Sequence, residues 1–169
     1  VKRVAKSEHS EKRLIQELAT AAMTEKVIVL GASTGGTTAI HDIVTILPAS
    51  TPGMVIVQHM PKDFTKLFAD RLNELSLLQI KEAEDGDVVS PGHVFIAPGD
   101  KHVRLARKGA KVVIQLWNGP LVNRHKPAVD VLFESAAEIV GNNCIGVLLT
   151  GMGKDGAQGM LTLKQHGAF

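Results

Sequence analysis

The sequence lacks the residues that several common kinds of protein need. It has one cysteine, Cys144, so no disulfide can form within the chain, which fits a reducing compartment. Aromatic residues make up only 4%, with no tyrosine and one tryptophan, which excludes the stacking surface typical of single-strand nucleic-acid binders. No apolar run approaches the roughly 18 residues of a membrane-spanning helix. We therefore expect a cytoplasmic protein with no nucleic-acid partner and no membrane insertion.

Charge is unevenly placed along the chain. The formal net charge is +2, and residues 1–26 account for it, because the rest of the chain carries equal numbers of basic and acidic residues. A neutral body argues against broad binding to a phosphate backbone. Residues 1–25 contain no glycine or proline, and their apolar residues fall at helical spacing, which predicts a short amphipathic helix. Such a helix is either a linker on a surface or a tether to another domain.

From Lys26 onward, apolar runs alternate with helical patterns. Buried strands are predicted over residues 27–30, 54–57, 94–97 and 144–149, a weaker strand over 78–83, and a hairpin around the turn at 107–110. Helices are predicted before Pro48, after Pro61 along Phe64, Leu67, Phe68 and Leu72, from Pro127 to Ile139, and from Asp155 to His166. This order predicts an α/β fold, a three-layer sandwich with a mostly parallel, doubly wound sheet and a β-hairpin. The functional site should lie at the carboxyl ends of the strands.

The first predicted strand ends in a glycine-rich turn. Gly31-Ala32-Ser33-Thr34-Gly35 matches G-x-S-x-G, in which small flanking residues let a strand turn sharply into a helix and expose the serine. Ser33 is then a candidate nucleophile, and the Thr34 N–H a candidate donor to a developing oxyanion. The competing interpretation is an anion- or nucleotide-binding module that uses loop 31–36 at a helix N-terminus. The dinucleotide and P-loop signatures are not matched.

Two further strand ends carry groups that would complete a nucleophilic site. His59 follows the second strand, and an imidazole beside Ser33 could act as general base. Asp155 lies in a glycine-rich loop at a helix start, where it either caps that helix or orients the imidazole as the third member of a triad. No cofactor motif and no metal site stand out.

Together these motifs resemble the catalytic domain of the bacterial chemotaxis protein-glutamate methylesterases. The resemblance runs from about Lys26 to the end of the chain and rests on five separate blocks in the family's order. In sequence letters, the blocks are VLGASTGG from Val29, VQHMP from Val57, HVFIAPG from His93, KPAVD from Lys126 and LTGMGKDGA from Leu149.

The resemblance implies a serine hydrolase of glutamate γ-methyl esters on methylated chemoreceptor helices. Some members of the family also deamidate receptor glutamines, so the resemblance extends to this second reaction. By that likeness Ser33 is the nucleophile, His59 the base and Asp155 its partner, while Thr34 and Met152 match oxyanion-hole positions. The family carries an N-terminal receiver domain, so residues 1–25 are expected to be an interdomain linker. Residues 26–169 are expected to be a catalytic domain truncated at its C-terminus. A further alternative is an inactive interaction domain that docks through the amphipathic helix predicted within residues 1–25.

Overall fold

A computed structural model describes residues 26–151 and 153–169 of the chain. The helix predicted within residues 1–25 lies outside the described residues, as does Met152. The described part contains seven strands: β1 (Val27–Ala32), β2 (Gly53–Gln58), β3 (Gln79–Glu82), β4 (His93–Ile96), β5 (His102–Lys108), β6 (Lys111–Trp117) and β7 (Cys144–Leu148). It also contains four α-helices: α1 (Gly36–Val44), α2 (Lys62–Leu75), α3 (Val129–Ile139) and α4 (Ala157–Gln165).

Five of the strands form one parallel sheet in the order β3-β4-β2-β1-β7. β1 pairs with β2 on one side, where Val27 is opposite Gly53, and with β7 on the other, where Val27 is opposite Cys144. The chain therefore winds outward from β1 in both directions. In such sheets the carboxyl ends of the strands on either side of the reversal leave a crevice, which is the usual place for a site.

Apolar side chains alternate between the two faces of the sheet and build two cores. Val29, Val55 and Phe95 pack on one face with α3, α4 and the hairpin. Leu30, Ile56 and their neighbours pack on the other face with α1 and α2. Strands covered on both faces need continuous apolar runs, which is why the sequence shows them. The predicted three-layer α/β sandwich is confirmed.

The predicted hairpin is also confirmed, as β5 and β6 pair antiparallel with Lys108 opposite Lys111. Two helix predictions need correction. α3 begins at Val129 and not at Pro127, because Ala128 still has an extended backbone. α4 begins at Ala157 and not at Asp155, since Gly156 precedes it with a left-handed φ of 97°. Gly167, with φ 80°, follows the end of α4 as predicted.

Helix α2 buries only part of the apolar pattern that predicted it. Leu72 is buried, but Phe64 and Leu67 are 58% and 66% exposed. The buried side is instead formed by Thr65, Ala69 and Leu72. The Thr65 hydroxyl donates to the Glu82 carboxylate at the end of β3, which turns this side of the helix toward the sheet. None of the helices in the described part of the chain is long and apolar enough to cross a membrane.

Candidate active site

A cleft opens between the carboxyl ends of β1 and β7, at the point where the sheet winding reverses. Its volume is about 70 Å³, and Ser33, His59 and Asp155 all lie in its wall together with Thr150 and Gly151. The three residues singled out from the sequence are thus brought together, although 121 positions of the chain lie between the first and the last of them. Adjacent parallel strands end side by side, which is the physical reason for this convergence.

Ser33 is held by backbone contacts to the strands on both sides. Its N–H donates to the Thr150 carbonyl at 3.0 Å, which ties it to the segment after β7. Its carbonyl accepts from the Gly36 N–H at 2.8 Å and from Nε2 of Gln58 at 2.9 Å. Gln58 is buried at the end of β2. Three hydrogen bonds, from the segment after β7, from α1 and from β2, therefore fix the position of the Ser33 backbone.

Two glycines make the turn after Ser33 possible. Gly35 precedes α1 with a left-handed φ of 79°, a conformation that costs a residue with a Cβ atom about 1–2 kcal/mol. Gly36 lies against Gln58 and Ala32, and a Cβ at this position would come within 2.6 Å of the Ala32 Cβ. Gly35, the last glycine of the G-x-S-x-G pattern, is therefore required by its backbone conformation, and Gly36 is required by close packing.

His59 follows β2, and its two ring nitrogens have different surroundings. The backbone N–H donates to the Ala32 carbonyl at 3.1 Å, which places the residue beside the end of β1. Nε2 contacts Oδ2 of Asp155 at 2.8 Å, whereas Nδ1 is buried and has no hydrogen-bond partner among the described residues. The side chain of His59 is 12% exposed. One nitrogen is thus engaged and the other is free to act as an acceptor.

No hydrogen bond joins the Ser33 hydroxyl to His59, although both residues lie within the described part of the chain. Both side chains line the same cleft. Hydrogen bonds between a nucleophile and its base are often long without a substrate and tighten when one is bound. Ser33 and His59 therefore line one cleft without a hydrogen bond between their side chains.

The Asp155 carboxylate is the most heavily hydrogen-bonded group in the cleft. Its side chain is 1% exposed. Oδ2 accepts from His59 Nε2 and, at 2.7 Å, from the Val129 N–H. Oδ1 accepts from the Asp130 N–H at 3.1 Å and from Asn123 Nδ2 at 2.9 Å. Burial alone would raise the pKa of Asp155, but these four donors outweigh it and lower the pKa to about 2.

The ionised carboxylate also assigns the proton on the imidazole. An ionised carboxylate can only accept, so the contact with Asp155 requires a hydrogen on Nε2 of His59. In the neutral ring this leaves Nδ1 with a free lone pair.

Asp155 does not cap the helix that follows it, which was the structural alternative drawn from the sequence. Asp155 accepts no hydrogen bond from an N–H group of α4 among the described residues, and the residue directly before α4 is Gly156. The two N–H groups that Asp155 binds, those of Val129 and Asp130, belong to the first turn of α3. The carboxylate thus satisfies unpaired donors of a different helix, and the positive end of that helix favours its negative charge.

Several neighbours of the cleft carried no recognisable signal in the sequence. The His125 ring stacks on the His59 ring, with centroids 3.7 Å apart and planes 9° from parallel. Burial, followed by repulsion from His59, lowers the pKa of His125, which favours a neutral ring in this stack. Asn123 and Asp130 complete the surroundings of Asp155. His125 and Asn123 lie outside the five sequence blocks, and Asp130 lies within the KPAVD block, whose pattern indicates no role for it.

The structure says less about the two residues predicted to bind the oxyanion, Thr34 and Met152, than about Ser33, His59 and Asp155. Thr34 is exposed, and its N–H donates no hydrogen bond to any described residue, while its carbonyl accepts from Thr150 Oγ1 at 3.2 Å. Met152 lies outside the described residues. Within residues 26–151 and 153–169, no group of three or more histidine, cysteine or acidic side chains could hold a metal ion.

Comparison with known proteins gives consistent matches. The model of the CheB methylesterase family matches residues 28–169. Curated proteins named protein-glutamate methylesterase/protein-glutamine glutaminase from Escherichia coli O6:K15:H31 and from Salmonella typhimurium strain LT2 are both 58% identical over 146 residues. Each match covers 86% of this chain and 42% of the relative, so the chain spans less than half the length of the curated relatives it matches.

A solved structure has the same fold. The crystal structure of the Thermotoga maritima CheB methylesterase catalytic domain superimposes with a TM-score of 0.82 at 46% sequence identity, covering 85% of this chain and 76% of that one. Together with the family match over most of the sequence, this shows that the chain belongs to the CheB methylesterase family.

Proposed function

We propose that this chain hydrolyses glutamate γ-methyl esters on the cytoplasmic helices of methyl-accepting chemoreceptors, using Ser33, His59 and Asp155. The observation that carries the proposal is one arrangement in the cleft. An ionised, buried Asp155 holds Nε2 of His59, Nδ1 of the same ring has no hydrogen-bond partner among the described residues, and His59 lines the same cleft as Ser33. Membership of the CheB methylesterase family and the printed names of the relatives support the substrate class.

In the first half of the proposed reaction, Ser33 Oγ attacks the ester carbonyl carbon and its proton moves to Nδ1 of His59. The imidazolium formed is stabilised by the Asp155 carboxylate on its other nitrogen. N–H groups at Thr34 and Met152 would donate to the oxyanion of the tetrahedral intermediate. Collapse of the intermediate breaks the bond to the methoxy oxygen, which takes the proton from His59 and leaves as methanol.

In the second half, water hydrolyses the acyl-enzyme. His59 removes a proton from the water as it attacks the acyl carbon, and then returns it to Ser33 Oγ. The products are a glutamate carboxyl group and the free serine. A receptor glutamine follows the same path with ammonia as the leaving group, which accounts for the second activity in the relatives' name. The imidazole uses its nitrogens in the opposite sense to the serine-protease arrangement, in which Nδ1 faces the aspartate.

The proposal extends to organisation and location. Residues 26–169 form the catalytic domain, and residues 1–25 are the linker to a receiver domain of the kind this family carries. The protein works in the cytoplasm, where receptor signalling helices lie. Neither a cofactor nor a metal ion takes part in the proposed steps.

Methanol release from a receptor fragment labelled in its ester methyl groups tests the proposal. Ser33→Ala should lower the rate at least about 10³-fold, because no other hydroxyl replaces the nucleophile. Ser50→Ala is the matched control, as Ser50 is exposed in the turn before β2, at the opposite end of the sheet. Equal rates for the wild type and Ser33→Ala would contradict the proposal. Anion binding that survives in Ser33→Ala, with no ester hydrolysis by the wild type, would favour the module that uses loop 31–36.

A further inference from the structure

We propose that Asn123 is a positioning residue for the Asp155 carboxylate, an inference that rests on the proposed function. Asn123 lies in the segment between β6 and α3, and its amide donates to two different carboxylates. Nδ2 is 2.9 Å from Oδ1 of Asp155 and 2.6 Å from Oδ2 of Asp130. An amide nitrogen carries two hydrogens, so both contacts can be made at once.

The two carboxylates belong to a reciprocal pair of helix caps. Asp155, two residues before α4, accepts from the first-turn N–H groups of α3. Asp130, in the first turn of α3, accepts at Oδ1 from the N–H groups of Gly156 and Gly159 at the start of α4, at 3.0 and 2.7 Å. Each helix thus receives its cap from the other, and neither has a side-chain cap of its own.

This pairing brings two acidic side chains close together, and Asn123 donates a hydrogen to each. With Oδ1 of Asp155 held by Asn123 and Asp130, Oδ2 is oriented toward Nε2 of His59. Without the amide, Oδ1 would lose its only side-chain donor among the described residues. The carboxylate would then be held by the backbone N–H groups of Val129 and Asp130 and would be freer to rotate away from the imidazole. The expected consequence is a less well oriented base, which affects the chemical step and not the binding of substrate.

The conformation of Asn123 fits this role. Its φ is 52°, in the left-handed region that asparagine adopts more readily than most residues. It is exposed and does not belong to either apolar core. Replacing it by glycine keeps the left-handed backbone accessible and removes only the amide, so the variant should fold.

The first test compares Asn123→Gly with the matched control Asn142→Gly. Asn142 is an exposed asparagine in the short turn before β7, at the amino end of the sheet. With the labelled receptor fragment as substrate, Asn123→Gly should lower kcat about tenfold or more and leave KM within about twofold. Asn142→Gly should match the wild type. A loss confined to KM, or no loss at all, would overturn the inference.

The second test reads the His59–Asp155 contact directly and does not depend on activity. The hydrogen on Nε2 should give a strongly downfield proton NMR signal in the wild type, assigned by its absence in His59→Gln. In Asn123→Gly this signal should move upfield or broaden, while it stays in place in Asn142→Gly. An unchanged signal in Asn123→Gly would contradict the positioning role.

A third variant separates the loss of a donor from a change in loop shape. Asn123→Asp keeps the shape of the side chain but cannot donate when ionised and adds a third negative charge, so its kcat should fall further than that of Asn123→Gly. Equal activity of Asn123→Asp and the wild type would refute the inference. A folded wild type that releases no methanol would instead refute the proposed function, and the NMR comparison would still decide the role of Asn123.

Discussion

Replacing Asp155 by asparagine is expected to lower the free energy of unfolding by an amount that depends on pH. The pKa of Asp155 falls from its ordinary 3.8 to about 2 in the folded protein, because four hydrogen bonds to the carboxylate outweigh the effect of burial. At about 1.4 kcal/mol per pKa unit, the ionised form contributes about 2 kcal/mol at pH 7.

The direction of the pH effect follows from the lowered pKa. Between 3.8 and about 2 the unfolded chain binds a proton at this site that the folded chain does not, so stability decreases as the pH falls. The contribution is complete at pH 7, is reduced to about half at pH 3 and disappears below the folded pKa. Asp155→Asn removes the titrating group, so the stability difference between the two proteins should shrink over this range.

Urea unfolding of both proteins at pH 7 and pH 3, followed by the fluorescence of the single tryptophan, Trp117, measures this difference. Asp70→Asn is the matched control, because Asp70 forms an exposed ion pair with Lys66 on α2, a kind of pair that contributes at most about 1 kcal/mol. A difference between the wild type and Asp155→Asn that is the same at both pH values would refute the reasoning. So would a loss at pH 7 no larger than that of Asp70→Asn.

Two further substitutions test the packing of Gly151 against Ser33 and the hydrogen bonds of the buried His102. Gly151→Ala places a Cβ 2.7 Å from the Ser33 Cβ, so kcat/KM should fall about 10²-fold with little change in Tm. His102→Phe leaves the Pro120 carbonyl and the Ala128 N–H without their partner, which should cost about 2 kcal/mol in urea unfolding. Burial also lowers the pKa of His102, so the wild type should lose stability as the pH falls below the ordinary histidine range, and His102→Phe should lose less.

Each of these two predictions has an outcome that would contradict it. Full activity in Gly151→Ala would show that Ser33 tolerates displacement. A His102→Phe variant as stable as the wild type would show that the segment before α3 does not depend on the buried imidazole.

The sheet could be predicted from the sequence because its strands are covered on both faces. Continuous apolar runs such as residues 54–57 are characteristic of such strands, and β2 is buried along its whole length. The meeting of Ser33, His59 and Asp155 could also be predicted, since each follows a strand and parallel strands end at one edge. Their catalytic roles remain proposals that rest on this geometry and on the family.

The surroundings of Asp155 could not be predicted in the same way. Besides a contact with the imidazole, the sequence predicted only a cap on the helix that follows Asp155, whereas the carboxylate binds the start of α3, 25 residues earlier. That contact depends on how two loops fold against each other, which leaves no periodic signal. The left-handed Asn123 and the stacked His125 belong to the same irregular segment. The exposure of Phe64 and Leu67 on α2 also depends on a non-local contact, because the polar residue Thr65 is buried on the opposite side and donates to Glu82.

The most direct measurement of the central claim is covalent labelling by a fluorophosphonate, which reacts with a serine activated by a neighbouring base. Mass spectrometry of the wild type should show a single adduct, located on Ser33, and His59→Gln and Asp155→Asn should react far more slowly. An adduct on another residue, no adduct in a folded wild type, or equal labelling of all three proteins would contradict the account of Ser33, His59 and Asp155 as one catalytic unit.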